Sequence, residues 1–517
     1  MKLLELYKEK IMGAISGLDR IRFRGSLRCL ANERGMNIFL RGHGILLKHF
    51  TSWAKTITAN IRQCGDLQAE SLGLKTVYLN RSGVNKEEMA RKIATENGIT
   101  EGSICNFSVL ETCYAPQIKG NKARKQLELK IVPSKCIHLY HYFNHGNYGF
   151  GHVRLQTWAP YTVLICLNGR HWLERQLQQE GIAYHKDGNC FRWIEDVEAA
   201  QRLLSLQLES NWPTVLDGLV KQMCPDLARA LLPVRPDYYW SADETEWATD
   251  IMFTSVAELD SLYSDLLYHG MKSSDSWAVM RYFGRRDGGG LLPSEVKSEY
   301  RRRYEGIRIK HWRNNNSVKM YNKSGSILRI ETTINNSRDF KVYRHPNDDA
   351  SRPASWQNMR KGVSDLHRRC QVSQQCNERY ADALTAAQVQ ETLKEVVEPA
   401  CNKVSKQGKK YRGLNPWQWE DCKLLAFLAQ GEHALNGFRN RDLRMWLYRE
   451  SHKQSKDQQR KYSGRATRRI KLLRAHGLVR KVAKENRYVL TAKGRKFGTA
   501  LKVAGDVGIK GLIEMAA

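Results

Sequence analysis

The spacing of apolar and polar positions changes character several times along the chain. Leu3 to Gly17 predicts a helix. Asp19-Arg20-Ile21-Arg22-Phe23-Arg24-Gly25 then alternates with period two, which predicts a strand with arginines on one face. A helix from Leu46 to Arg62, a strand Thr76–Leu79, a helix Asn85–Asn97 and a strand Ile104–Glu111 follow, with Asn85 and Glu88 as cap and partner. From Leu127 the pattern becomes a meander: Leu127–Val132, Ile137–Phe143, Gly151–Gln156 and Tyr161–Leu167, with Asn144-His145-Gly146-Asn147 as a hairpin turn. Gly169–Glu180 closes that stretch as a helix, and 196–285 reads as mostly helical. Ile307–His311, Ser317–Tyr321 and Ile327–Thr333 are strands again, the last two joined by Lys323-Ser324-Gly325-Ser326. His345–Ser355 is a loop, helices fill 356–399, and no internal repeat is visible.

Lys403–Asn415 is basic and polar and reads as a linker. Beyond it, Trp419–Gln430 is a helix, Asn440 caps a second over Arg441–Tyr448, and Ser463–Ala475 forms a third. Ala466, Ile470 and Leu473 make its inward stripe, and Gly477 ends it. Leu478–Val482 and Arg487–Thr491 then predict a hairpin, and Lys493 onward a last helix. The whole is a multidomain α+β protein. It comprises a mixed α/β region (1–120), an antiparallel β meander plus helix (121–200), a helical region with a basic β hairpin at 307–333 (201–400), a linker (401–416) and a C-terminal winged helix-turn-helix (417–517).

Charge changes the picture from fold to partner. Lys plus Arg is 84 against 53 Asp plus Glu, a net +31. Residues 401–517 hold 28 basic and 9 acidic residues, and 285–345 hold 15 and 6, so the remainder carries only +3. Two basic zones on a nearly neutral body predict a polyanionic partner, DNA first, with RNA left open for the body. The candidate binding residues are Arg465, Arg468, Arg469, Lys471 and Arg474 on the third helix, Lys481, Lys484 and Arg487 on the hairpin, and Lys493 after it. In the body they are Arg301, Arg302, Arg303, Lys310 and Arg313, interleaved with Tyr300, Tyr304, Trp312 and Tyr321, whose rings suit base stacking or packing.

The segment "SGRATRRIKLLRAHGLVRKVAKENRYVLTAKGR" resembles the recognition helix and wing of MarR-like and ArsR-like DNA-binding domains. That resemblance implies a third helix in the major groove and a wing tip on phosphates or the minor groove. The segments "SGLDRIRFRGSLR", "VRLQTWAPYTVLICLNGRHWLERQL", "ETEWATDIMF", "SVKMYNKSGSILRIETTINN" and "NGFRNRDLR" together resemble an uncharacterised multicopy bacterial family of mobile-element-like proteins. This implies mobile-element ancestry and no catalytic residues. "KMYNKSGSILRIETT" also resembles the strand pair of plasmid and phage replication initiators.

Phosphodiester chemistry with Mg²⁺ needs carboxylates converging on the metal. Asp19, Glu111, Glu246, Asp250 and Glu331 are the candidate catalytic acids, with Asp19 and Glu331 as metal ligands. Glu246 and Asp250, four apart, share a face if helical. The expectation is therefore a transposase-like or nuclease-like protein directed by the winged helix; the alternative is a non-enzymatic regulator or the protein part of a ribonucleoprotein. Twelve singly scattered cysteines read as reduced apolar residues rather than zinc ligands. His138, His141 and His145 lack a metal-binding spacing. There is no P-loop, GxSxG or HExxH. With no apolar run of membrane length, the expected setting is the cytoplasm, at the nucleoid, with no membrane partner. The oligomeric state stays open.

Overall fold

In the computed structural model the alternation around Phe23 lies in a long strand, β1 (Ile11–Leu27). The helix expected over Leu3–Gly17 is cut short: α1 covers only Lys2–Leu6, and Ile11 onward joins the sheet. A short apolar run suits either element, and strand pairing decides which forms. The structure describes residues 1–81, 83–285, 296–303, 306–346, 351–385, 393–430, 433, 437–448, 455–482 and 485–506. Tyr304 and Lys484 lie outside the described residues. The chain divides into an inner unit, Ala14–Asp250 with Glu331–Gln374, and a terminal unit, Met1–Gly13 with Ile251–Ile330 and Gln375–Ala517.

After β1, the inner unit runs through α2 (Glu33–Gly42), α3 (Phe50–Ser71), β2 (Thr76–Leu79), α4 (Lys86–Glu96), β3 (Gly102–Asn121), β4 (Gln126–His145), β5 (Gly149–Gln156), β6 (Val163–Asn168) and α5 (Gly169–Glu180). A hairpin, β7 (Tyr184–Asp187) and β8 (Cys190–Ile194), leads to α6 (Val197–Gln207), α7 (Trp212–Met223), α8 (Leu227–Ala230) and β9 (Tyr238–Phe253). The strands order as β9-β1-β6-β5-β4-β3-β2. β2 and β3 are parallel, whereas β1–β6, β6–β5, β5–β4 and β4–β3 are antiparallel.

Two stretches depart from the sequence pattern. Residues 126–145 form one unbroken strand instead of two. β9 is a strand inside the stretch read as helical, because it is buried on both faces from Ala248 to Phe253 and shows no alternation there. Where local chemistry is strong, prediction and structure agree. The Asn85 side chain accepts from the Glu88 backbone N–H at 3.3 Å and donates to the Glu88 carboxylate at 3.0 Å.

One face of this sheet carries Ile21, Phe23, Val153, Leu155, Val163 and Ile165 into a core shared with α2, α3 and α7. On the other face α4 covers Phe107, Tyr140 and Tyr142. Cys64 of α3 is disulfide-bonded to Cys224 just past α7, Cα–Cα 5.7 Å, so not all twelve cysteines are free as the sequence suggested.

The terminal unit holds α9 (Val256–Ser273), α10 (Ser276–Tyr282), β10 (Val296–Arg303), β11 (Gly306–Arg313), β12 (Asn316–Lys323) and the start of β13 (Ile327–Ile334). The predicted turn stands: Ser324 and Gly325 both take positive φ, 53° and 81°. The hairpin β14 (Lys341–Arg344) and β15 (Ser355–Asn358) belongs to the inner unit, and α11 (Leu366–Leu384) passes from it into the terminal unit.

Strand order exposes a repeat that sequence comparison within the chain misses. β1, helices, β3 to β6 and α5 order as β1-β6-β5-β4-β3; β9, helices, β10 to β13 and α11 order as β9-β13-β12-β11-β10. In each copy four consecutive strands follow the helices, and the fourth returns beside the first.

The C-terminal part of the terminal unit contains α12 (Leu393–Cys401), β16 (Val404–Lys406), β17 (Lys409–Tyr411), α13 (Trp419–Leu428), α14 (Asn440–Tyr448), α15 (Lys456–Ala475), β18 (Val479–Lys481), β19 (Tyr488–Leu490) and α16 (Ala492–Asp506). Leu424, Phe427, Leu443, Ala466, Ile470, Leu473, Leu490 and Phe497 share one core. The stretch read as a linker is structured: β16 and β17 pair, and Leu414 and Tyr411 pack on that core. Gly477 takes φ 71° and ends α15 as expected. Among the described residues no helix is long and apolar enough to cross a membrane.

Candidate nucleic-acid interface

α15 turns Ala466, Ile470 and Leu473 inward, which leaves Arg465, Arg468, Lys471 and Arg474 exposed around the rest of its circumference. None of the four meets an acid among the described residues. Arg469, read from sequence as a fifth binding residue, is engaged elsewhere. Its guanidinium bonds Asp421 at 3.2 Å and also meets Glu420. Asp421 is fully buried and takes two further bonds from Arg412, each 2.6 Å, and one from the Asn415 N–H at 2.9 Å. Arg469 is therefore a strut between α15 and α13. Lys481 and Lys493 are exposed, whereas Arg487 pairs with Glu485 at 2.9 Å.

Beside α15 lies a groove of about 780 Å³, walled by β17, α13 and α14. Seven basic side chains line it against one acid, Glu420. Arg412 and Arg469 are paired with Asp421 and Glu420, which leaves Lys410, Lys423, Arg465, Arg468 and Lys471 without an opposite charge among the described residues. Trp419 is 72% exposed at its rim, with the Lys423 ammonium 4.8 Å from the ring centre, and neighbouring Trp417 is 82% exposed. Tyr448 stacks on Tyr462, centroids 4.7 Å apart.

The basic zone of the body is more divided. On β10, Arg301 pairs with Glu299 at 2.9 Å and Arg302 is exposed; Arg303 lies in the strand, but its side chain is outside the description. Lys310 stands opposite Lys319 in the β11–β12 register, its ammonium 4.7 Å from the Trp312 ring centre. Lys319 and Lys323 flank Tyr321 in the same way. Arg313 corrects the sequence reading: it is 1% exposed, and a guanidinium withdrawn from solvent does not face a phosphate.

The arginine row of β1 is neutralised. Arg20 pairs with Glu244 and Glu246 at 3.2 and 3.4 Å, Arg22 with Asp243 and Glu244 at 3.8 Å, and Arg24 with Asp243 at 3.0 Å. Three acids of β9 thus face three arginines of β1. Burial works to raise the Asp243 carboxyl, but the Arg24, Lys361 and Arg22 charges outweigh it and hold it below the usual carboxylate range.

Asp19, Glu111, Glu246 and Asp250 are each held by different partners. Asp19, on the strand face opposite the arginines, accepts from Asn189 at 2.9 and 3.0 Å. Glu111 takes the Tyr140 hydroxyl at 2.8 Å and ion-pairs with Lys86 at 3.0 Å and Arg154 at 3.5 Å. Burial would raise its carboxyl, yet these partners lower it. Glu246 meets Arg20, and Asp250 meets Arg170 at 3.0 Å with both side chains fully buried. Because β9 is a strand, the helical face expected to join Glu246 and Asp250 does not form. Glu331 is 1% exposed in β13. Among the described residues no three His, Cys, Asp or Glu side chains gather where they could hold a metal ion.

Sequence reasoning missed Asp243 and Glu244, whose signal was the acid run Asp243, Glu244 and Glu246 opposite in charge to the arginine row. It also missed the groove residues Lys410, Lys423 and Trp419, with Trp417 beside them, which come from β17, α13 and the turn between. No protein-family model, no curated protein and no solved structure matches this chain.

Proposed function

We propose that this chain binds nucleic acid, and that residues 417–517 are a winged helix that docks duplex DNA through α15. The observation that carries this reading is the row Arg465, Arg468, Lys471 and Arg474, exposed and without acid partners among the described residues, on a helix followed directly by a basic hairpin. A single bridge between Phe438 and Tyr488 supports it, because it sets the chain just before α14 beside β19, where a winged helix pairs its first strand with the hairpin. On this reading α15 enters the major groove and the β18–β19 tip meets phosphates. The mobile-element setting implied by the family resemblance is part of the same proposal. The positions of the acids favour binding over strand cleavage, since Asp19, Glu111, Glu246 and Asp250 are each held by a different partner.

The test is duplex affinity against salt for the full-length protein and for Arg465→Ala and Arg468→Ala. Affinity should fall steeply with salt, and each substitution that removes a phosphate contact should lower the log–log slope by about 1. A slope near zero for the unaltered protein rejects the reading.

A further inference from the structure

The groove beside α15 holds more than a duplex-binding helix uses. Two tryptophans two residues apart, Trp417 and Trp419, are 82% and 72% exposed. Large rings left in water at the rim of a charged groove mark a contact surface rather than a core. The five cations left over after Arg412 and Arg469 satisfy Asp421 and Glu420 come from β17, α13 and α15, so they surround the space from several sides. Its volume of about 780 Å³ is ample for one or more nucleotides. Rings at the rim and uncompensated cations in the walls are what a strand with unpaired bases needs. The bases stack on rings while the phosphates meet ammonium and guanidinium groups. In a duplex the base faces are already stacked on each other, so it has no use for exposed tryptophans of this kind.

We infer that this groove binds single-stranded nucleic acid by stacking bases on Trp419 at its rim and on Trp417 two residues before it, next to the duplex held by α15. The inference rests on the nucleic-acid reading above and gives the groove its own ligand, with Arg465, Arg468 and Lys471 shared between the groove and the duplex row. An acidic peptide would suit the cations but gains little from two flat rings.

The experiment uses the full-length protein with fluorescent oligo(dT), a blunt duplex and poly-glutamate. Oligo(dT) should quench tryptophan fluorescence. Trp419→Ala, and Trp417→Ala to a lesser degree, should weaken oligo(dT) binding by about five- to a hundredfold, the range of one lost stacked base, while duplex affinity holds. Both rings are exposed, so neither substitution removes a core contact. Three results overturn the inference: unchanged oligo(dT) affinity in both variants, equal loss of duplex and oligo(dT) binding, or poly-glutamate displacing oligo(dT) and quenching equally well. The winged-helix reading fails separately, if Arg474→Ala and Lys481→Ala, which lie outside the groove, leave duplex affinity unchanged.

Discussion

Two arginine rows in this protein have nearly the same sequence character and different physical roles. On β1, Arg20, Arg22 and Arg24 face Asp243, Glu244 and Glu246 at 3.0–3.8 Å, so their charge is spent within the inner unit. On α15, Arg465, Arg468 and Arg474 meet no acid among the described residues. A phosphate approaching β1 would meet carboxylates as well as guanidinium groups, and carboxylate–phosphate repulsion is worth about 1 kcal/mol at 4 Å even in water. The α15 row offers attraction alone. A run of arginines in sequence is thus open to a phosphate only where the tertiary structure withholds the acids.

The sharpest way to break this contrast is at the buried end of the matched set. Asp250→Ala leaves Arg170 as a buried charge without its carboxylate and should cost about 3–5 kcal/mol of unfolding free energy, with duplex affinity per folded molecule unchanged. Denaturant unfolding alongside a binding titration reads both. A loss of affinity without a loss of stability would move Asp250 back among the functional acids.

Acid should act on the sheet next. Burial holds His138, His141 and His311 down to about 4, against 6.5 for a free histidine; Arg154 adds to this at His138. These groups are neutral in the fold and take up protons when it opens, so their contribution is complete above about pH 6.5 and is lost as pH falls toward 4. Each is worth up to about 3 kcal/mol over that window. The unfolding midpoint should therefore drop between pH 6.5 and 4, and a flat profile would show that the rings are more hydrated than their burial indicates.

The α15 row should respond in binding rather than in stability. Arg465→Ala and Arg468→Ala should each cost about 1–3 kcal/mol of duplex affinity if they reach base edges, with melting temperature almost unmoved. Arg469→Ala should do the reverse, lowering stability by unbalancing Asp421. Finding Arg469 equivalent to its neighbours would erase the distinction drawn from the Asp421 network. The smallest effect belongs to β1: Arg22→Ala removes half-exposed pairs worth about 0–1 kcal/mol and should leave duplex affinity as it was. A clear affinity loss there would make the inner sheet a second nucleic-acid face.

What the sequence determined by itself is local. Asn85 caps α4, Asn168 opens α5 and Gly181 closes it, Ser324-Gly325 turns β12 into β13, and the stripe Ala466–Ile470–Leu473 sets which side of α15 is wet. Each of these depends on residues within a turn or two, so its physics is written in neighbouring positions. The tertiary structure alone decided the rest. β9 became a strand because its partners supply the hydrogen bonds, although its doubly buried end shows no period. The doubled strand order was not legible in the sequence, since many apolar sets satisfy the same topology. Which arginines are neutralised was set by acids more than two hundred positions away, as Arg20 is by Glu244. The groove beside α15 likewise arose only when β17, α13, α14 and α15 packed, because charges from separate segments sum only once folding brings them within a few ångströms.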